Sequence, residues 1–253
     1  MGFGRKLVYR AAKMPGLRRK FCPICGKYSA FFLPFGYGEK VFKQLNIVGG
    51  GVRRECTCPY CFSRDRFRWT YEVIKRYTRV LDGKCRVLHI APEPQIAVRI
   101  RENNGRCDYL TGDIEPGRAD SVVNVTDMPF GDTEFDYIII NHVLEHIADE
   151  AAAMQELKRC LKPDGALLIS FPICTDLPTF ENPAVTSPSE RLQVYGQEDH
   201  VRLYGYDCEK YLERYGFTVE KYTVKDCLPP NEIKRQSLIA EDTAFVCRVK
   251  SAG

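Results

Sequence analysis

The chain lacks any run of about 18 apolar residues, which excludes a membrane-spanning helix. Its first twenty residues, MGFGRKLVYRAAKMPGLRRK, have no long apolar core before a small-residue site, so no signal peptide is expected. Gly2 follows Met1, but position 6 is Lys6 rather than Ser or Thr, and the myristoylation pattern fails. There is no internal repeat and no low-complexity tract. What remains is ordinary globular composition, 44% hydrophobic and 11% aromatic, in 253 residues. That length accommodates one large domain and a small accessory unit.

Acidic residues are scarce in the first third of the chain. Residues 1–80 carry 18 Lys+Arg against 4 Asp+Glu, a balance of +14, and residues 81–253 carry 19 against 29, a balance of −10. This asymmetry points to a polyanionic or membrane-surface partner for the first part, or to a basic face that docks on the acidic domain. Residues 1–20 have seven basic residues and no acid. Leu7, Val8 and Ala11 can share one face of a short amphipathic helix interrupted at Pro15-Gly16. Such a helix suits anionic lipid or nucleic acid, and a frayed terminus is the alternative.

Of the twelve cysteines, Cys85, Cys107, Cys160, Cys174, Cys208, Cys227 and Cys247 are scattered singly, as small buried hydrophobes are. A reducing, cytoplasmic setting fits them better than a disulfide framework. The other five crowd into residues 22–61. Cys22-Pro-Ile-Cys25-Gly26 and Cys58-Pro-Tyr-Cys61 form two matched CxxC knuckles, each able to aim two thiolates at one ion. Four thiolates make the closed tetrahedral set of a structural zinc site, with no open position for catalysis. Cys56 is a spare thiol that could replace Cys58. Redox CxxC chemistry is disfavoured because such a motif sits singly at a helix start. The residues between the knuckles can form a short ribbon with turns at PFGYGEK and GGGVRR.

Beyond the second knuckle, residues 65–81 are expected to form a linking helix, with Phe67, Tyr71, Ile74 and Thr78 at helical spacing, Asp65 as its cap and Trp69 in the core. Strands and helices then alternate. Strands are expected at 87–90, 109–111, 122–125, 137–141, 166–171, 217–221 and 244–249. Helices are expected at 95–102 (ended by Asn103-Asn104-Gly105), 149–161 and 208–215 (closed by Gly216). Four units follow: a basic segment 1–20, a zinc ribbon 21–64, a linking helix 65–84 and a Rossmann-like, doubly wound α/β domain 85–253 with a seven-stranded sheet.

The stretch NVTDMPFGDTEFDYIIINHVLEHI, which ends at Ile147, and the later LKPDGALLIS at 161–170 resemble the class I S-adenosylmethionine (SAM) methyltransferases, especially those with the pattern FD…NHVLEH…LKPDG. The resemblance implies a SAM site at the strand ends. Asp113, in LTGDIE, is the candidate acceptor for the ribose diol. Asp127 matches the family position near the adenine amine, with Met128 against the ring. Asn141 and His142 end the fourth strand, where the sulfonium would sit.

One departure is clear. The family's glycine-rich turn reads here His89-Ile90-Ala91-Pro92-Glu93, with His89 in place of the acid, Ala91 of the first Gly and Glu93 of the second. Ala91 is small enough to keep backbone access, and Glu93 could reach the methionine ammonium. HIAPE also characterises a subgroup with an N-terminal CPxCG…CPxCxS ribbon, and CPYCFSRDRFR follows suit here.

Residues 172–205 show little periodicity, as lids and binding loops do. They include GQEDHVRLYG, similar to the subgroup's GQxDHVRxYG. His200, oriented by Asp199, is the expected general base, with His142 the rival and His146 a structural cap. Gln197, Arg202 and Tyr204 are expected to position the acceptor. The subgroup resemblance implies an O-methyltransferase acting on a sugar or surface polysaccharide. The alternatives are a zinc-ribbon RNA methyltransferase gripping phosphate through its basic region, and a binding module with a degenerate SAM fold. Against the RNA alternative, strand four ends Asn-His-Val-Leu rather than Asn/Asp-Pro-Pro-Tyr. The expected setting is cytoplasmic, with contact at the inner membrane surface through the basic N-terminus.

Overall fold

The computed structural model describes residues 3–14, 16–36, 38, 40–102 and 106–250. Pro15, Tyr37, Glu39 and the Asn103-Asn104-Gly105 helix stop therefore lie outside the described residues.

The basic N-terminal segment forms helix α1 (Phe3–Ala12). Leu7 and Val8 stand exposed, whereas Ala12 is fully buried, and Tyr9 packs against Phe62 of the second knuckle. The zinc region is a hairpin of β1 (Lys20–Cys22) and β2 (Lys27–Ser29), then β3 (Leu33–Phe35), a single turn α2 (Val41–Gln44), and β4 (Arg53–Thr57). β3 and β4 pair antiparallel, so the region holds two small two-stranded sheets.

Helix α3 (Asp65–Tyr77) is four residues shorter than expected. Thr78 turns to an extended conformation and donates its hydroxyl to Ile74 O at 2.6 Å, capping the helix end. At the other end Arg64 is the N-cap residue; Asp65 lies inside the first turn and pairs with Arg53 at 2.6 Å.

The main domain continues with β5 (Cys85–Ile90), α4 (Pro94–Arg101), β6 (Cys107–Asp113), β7 (Ser121–Val122), β8 (Phe135–Asn141), a 3-10 turn (Leu144–His146), α5 (Glu150–Cys160) and β9 (Leu161–Ser170). It closes with α6 (Pro188–Tyr195), α7 (Cys208–Glu213), β10 (Phe217–Thr223), α8 (Val224–Cys227), α9 (Pro230–Gln236) and β11 (Thr243–Val249). Strand order across the seven-stranded sheet is β10-β11-β9-β8-β5-β6-β7. The sheet is mixed: β9, β8, β5, β6 and β7 run parallel, and β11 lies antiparallel to both β9 and β10.

Strand alternation divides the core into two layers. Leu88, Ile138, Ile140, Leu167 and Ile169 pack with Met154 and Leu157 of α5 and Leu212 of α7. Val87, Ile139 and Leu168 pack on the other face with Trp69, Val73 and Ile74 of α3 and Ile96 of α4. Cys22, Ile24, Phe32 and Cys58 belong to this second layer, so the four-cysteine region shares its core with the main domain. Arg68, fully buried, fastens the two. It donates to Ser63 O and Cys56 O on one side and to Gln236 O and Ser237 O on the other. Docking of the basic region thus runs through carbonyls rather than through an acidic face.

Candidate active site at the carboxyl ends of the strands

The reversal of strand order falls between β5 and β8, and the crevice outside their carboxyl ends is where open α/β sheets bind ligands. Ile90 of β5 is in register with Gly112 of β6 and Ile140 of β8, and Asn141 with Ser170 of β9. Four strand ends therefore lie side by side, and Asp113, Asn141 and His142 come together with the turn that follows β5. In that turn Ala91 takes φ +47° and donates its N–H to Gly112 O at 2.8 Å. Alanine thus holds the left-handed conformation that glycine supplies more cheaply.

Asp113 ends β6, half-buried, and accepts from the N–H of Glu115 at 2.9 Å. Asp127 is exposed in the turn after β7 and donates its N–H to Asn124 O. Asn141 is buried; its Oδ1 accepts from Ser170 Oγ at 2.8 Å, and its Nδ2 has no partner among the described residues. An orphaned buried amide donor at a strand end is what a bound polar ligand would satisfy. His142 follows at φ +54°, a strained conformation that turns its ring off the strand.

Three expected cofactor contacts are corrected. His89 is fully buried, with Nδ1 2.8 Å from Tyr109 Oη and Nε2 2.9 Å from Glu93 Oε2. Burial opposes charge on Glu93, but His89 outweighs it and holds the carboxyl below its ordinary range. His89 and Glu93 therefore brace the turn internally, and Glu93 does not reach outward for an ammonium group. Met128 packs into the core layer with Ile90 and Val123, its N–H donated to Glu156.

Residues 74–169 match the family of the methyltransferase domain. The matched stretch, under half of the chain, is similar to methyltransferase domains. Over 169 residues the chain is 27% identical to the ubiquinone/menaquinone biosynthesis C-methyltransferase UbiE of Enterobacter sp. (strain 638), covering 66% of this chain and 63% of that protein. It is likewise 27% identical to the UbiE of Pasteurella multocida (strain Pm70), covering 59% of that protein. The chain thus spans less than two thirds of the length of these relatives. A SAM-dependent methyltransferase from Archaeoglobus fulgidus superposes with a TM-score of 0.47 at 17% identity, over 72% of this chain and 93% of that one.

Beside the strand ends lies a cleft with an enclosed volume of about 120 Å³. One wall comes from the main α/β domain: His142, Phe171 and Gln197. The other comes from the four-cysteine region and the start of α3: Phe35, the glycines 49–51, Arg53 and Arg66. Asp242, before β11, lines the cleft as well. Burial, with the Arg66 charge beside it, depresses the His142 pKa, and the nearby Glu145 carboxylate only partly offsets this.

The GQEDHVRLYG segment plays a different part from the one its order suggests. Asp199 lies 3.1 Å from His146 Nδ1, so it does not orient His200. His200 is 2% exposed and packs edge-on against the His146 ring at 4.7 Å. Arg202 is 1% exposed and donates to Leu144 O, Ile147 O and Ala148 O while pairing with Glu181. Tyr204 is fully buried, stacks on Phe171 and donates to Glu150. Arg202 and Tyr204 thus hold the loop to the 3-10 turn and α5 rather than positioning an acceptor; of the three expected acceptor residues, Gln197 alone lines the cleft. The loop also contains α6, which the sequence marks with a capping box, Ser187 and Glu190.

Cys22, Cys25, Cys58 and Cys61 converge, their sulfurs all within 4.8 Å of one another. Two of the separations are 3.6 Å (Cys22–Cys61) and 3.8 Å (Cys25–Cys58). A tetrahedron with metal–sulfur bonds of about 2.3 Å has edges of about 3.8 Å, so the cluster fits zinc. The knuckles match in backbone too. Gly26 N–H donates to Cys22 O and Phe62 N–H to Cys58 O, with φ +67° and +62°. Cys56 stays outside, against Arg53 and Asp65.

Glu145 and Arg68 are the consequential residues that sequence reasoning passed over. Glu145 stands in the NHVLEH motif itself, three residues after His142, a spacing that could have singled it out.

Proposed function

We propose that the chain transfers the methyl group of SAM to a hydroxyl of a small polar acceptor, a sugar being the favoured class, held in the cleft between the methyltransferase domain and the four-cysteine region. The observation that carries this is the position of His142, at the end of β8, lining that cleft beside the unpartnered Asn141 amide.

Asp113 suits the ribose diol, Asp127 the adenine amine and Asn141 Nδ2 a polar atom of the cofactor. The cofactor would supply a methyl group on a positively charged sulfur. His142 Nδ1 lies 3.4 Å from Glu145 Oε1, which leaves Nε2 for the acceptor. A neutral imidazole there takes the hydroxyl proton as the oxygen–carbon bond forms and the carbon–sulfur bond breaks. Arg66 and Gln197 bring polar contacts to the acceptor, and Phe171 covers its apolar face. Zinc on the four thiolates would hold the wall that carries the arginines.

A carbon acceptor is the second possibility, favoured by the similarity to C-methyltransferases. A phosphate grip on RNA has weaker support. Within the basic region Arg68 is fully buried, Arg53 pairs with Asp65 and Lys20 with Glu55. Exposed Leu7 and Val8 beside Lys6 and Arg10 on α1 suit peripheral contact with an anionic membrane.

The test is to add methyl-labelled SAM and the purified protein to a cell extract separated into glycan, lipid, RNA and protein fractions. Base-stable label in glycan supports the proposal. Label in quinone lipid favours carbon methylation, label in RNA favours the phosphate grip, and either overturns the sugar assignment.

A further inference from the structure

Behind the cleft lies a buried cluster of which the scheme above uses only Glu145, as the carboxylate beside His142. Among the described residues, Glu145, 1% exposed, has no hydrogen-bond partner on either carboxylate oxygen, with His142 Nδ1 standing off at 3.4 Å, and His200, 2% exposed, has none on either ring nitrogen. A buried carboxylate without donors is costly, and native structures rarely leave one so. Ligand atoms of Glu145, His146 and His200 all lie within 4.8 Å of one another. We propose that Glu145, His146 and His200 form a binding site for a divalent transition-metal ion, separate from the four-cysteine cluster.

Three features of the surroundings argue for an ion. The first is the donor set, two imidazoles and one carboxylate, which suits zinc, iron, cobalt or manganese. A hard, all-oxygen cation site would look different. The second is Asp199, which occupies Nδ1 of His146 at 3.1 Å. That leaves Nε2 for a metal and reproduces the carboxylate–histidine–metal arrangement that fixes tautomer and ring direction. The third is the bracing. Val201 N–H donates to Glu145 O at 2.8 Å, and the Arg202 guanidinium gathers the carbonyls of Leu144, Ile147 and Ala148. The 3-10 turn that carries Glu145 and His146 is thereby clamped to the loop that carries His200. These contacts hold the three ligands in place although they come from segments more than fifty residues apart in the chain.

The site joins the reaction centre through one group. Glu145 Oε1 faces His142 Nδ1 at 3.4 Å, so a cation on Glu145 would set the orientation of the carboxylate against which His142 rests. The proposal does not depend on the identity of the acceptor.

The experiment is cobalt titration of the full-length, metal-stripped protein under reducing conditions, with metal per chain measured by plasma mass spectrometry. Thiolate-bound cobalt shows intense sulfur-to-metal charge-transfer absorption; cobalt on nitrogen and oxygen ligands does not. The expected result is two cobalt ions per chain, one with the charge-transfer band and one without it. Glu145→Gln and His200→Ala should each lose the second ion and retain the first. Asp199→Asn, an exposed change that threatens folding least, should weaken the second ion by roughly 10–100-fold. A wild-type protein that binds only the thiolate-ligated ion overturns the proposal. So does a second ion that persists unchanged in both Glu145→Gln and His200→Ala.

Discussion

The carboxylate of Asp199 lies 3.1 Å from Nδ1 of His146, across the loop, and not against His200, its neighbour in the chain. Asp199 stands exposed in a turn and His200, the next residue, is buried, so the two face different surroundings. His200 goes inward beside Glu145, and the cleft is left to His142.

His142→Ala should therefore lower methyl transfer by roughly 10²–10⁴-fold, the usual contribution of a general base, while SAM binding measured by calorimetry stays within about twofold. Transfer undiminished in His142→Ala would remove His142 from the mechanism. His142→Gln is the conservative companion, since it keeps a polar side chain but cannot take the proton.

Arg202 and Tyr204 should report on stability rather than on substrate affinity. Arg202→Met would leave the carbonyls of Leu144, Ile147 and Ala148 and the carboxylate of Glu181 without their donor. Breaking such a buried set costs about 3–5 kcal/mol. Tyr204→Phe should cost less, about 1–2 kcal/mol, because Tyr211 and Tyr215 still donate to Glu150 at 2.5 and 2.9 Å. Urea unfolding checks both. A raised KM with unchanged stability would restore the positioning role.

The succession of strands along the chain and the cysteine knuckles were legible because each rests on local pattern. Apolar runs such as Tyr137 to Ile140 mark strands buried on both faces, and paired CxxC marks convergent thiolates. The direction of polar side chains was not legible, because it is settled by contacts between distant segments. Nothing near Arg202 in sequence announces the carbonyls of the 3-10 turn, and nothing near Glu93 announces Tyr109, which completes the brace through His89. Helix α9, entered by Pro229-Pro230, was missed although proline at a first turn is a helix start.

The sole tryptophan gives a direct readout of the four-cysteine cluster. Trp69 is 1% exposed and shares its core layer with Cys22 and Cys58. Stripping metal with a strong chelator, or making Cys58→Ser, should loosen that layer and shift Trp69 emission to longer wavelength, with a fall in Tm. Emission and Tm that are indifferent to both treatments would show that the cluster holds no structural metal.

Ala91 tests the departure from the glycine-rich turn. A left-handed alanine costs about 1–2 kcal/mol, and glycine gives back somewhat less than that through its greater freedom when unfolded. Ala91→Gly should therefore be neutral or stabilise by up to about 1 kcal/mol in urea unfolding, with SAM still bound. A loss of more than about 1 kcal/mol would mean that the methyl group packs usefully and that the turn is built for alanine.

Asp242 sets a pH dependence whose sign can be stated. Burial, and then the charge of Asp65, push its carboxyl up to about 7 from an ordinary 3.8, against the opposing pull of the Thr243 N–H, Arg66 and Arg53. The native protein therefore holds a proton on Asp242 that the unfolded chain releases between these two values. Its share of stability is fully present below pH 3.8, is lost as pH rises towards about 7, and is flat above. At about 1.4 kcal/mol per unit the full difference is at most about 4 kcal/mol, and nearer 2 with the water that reaches the cleft. Asp242→Asn keeps the shape and carries no titrating proton. It should match the wild type in acid and exceed it by about 2–4 kcal/mol above pH 7, because the variant never buries that charge. Equal stabilities of the two proteins at pH 8 would show that Asp242 is ionised without penalty, its charge answered by Arg53 and Arg66 across the cleft.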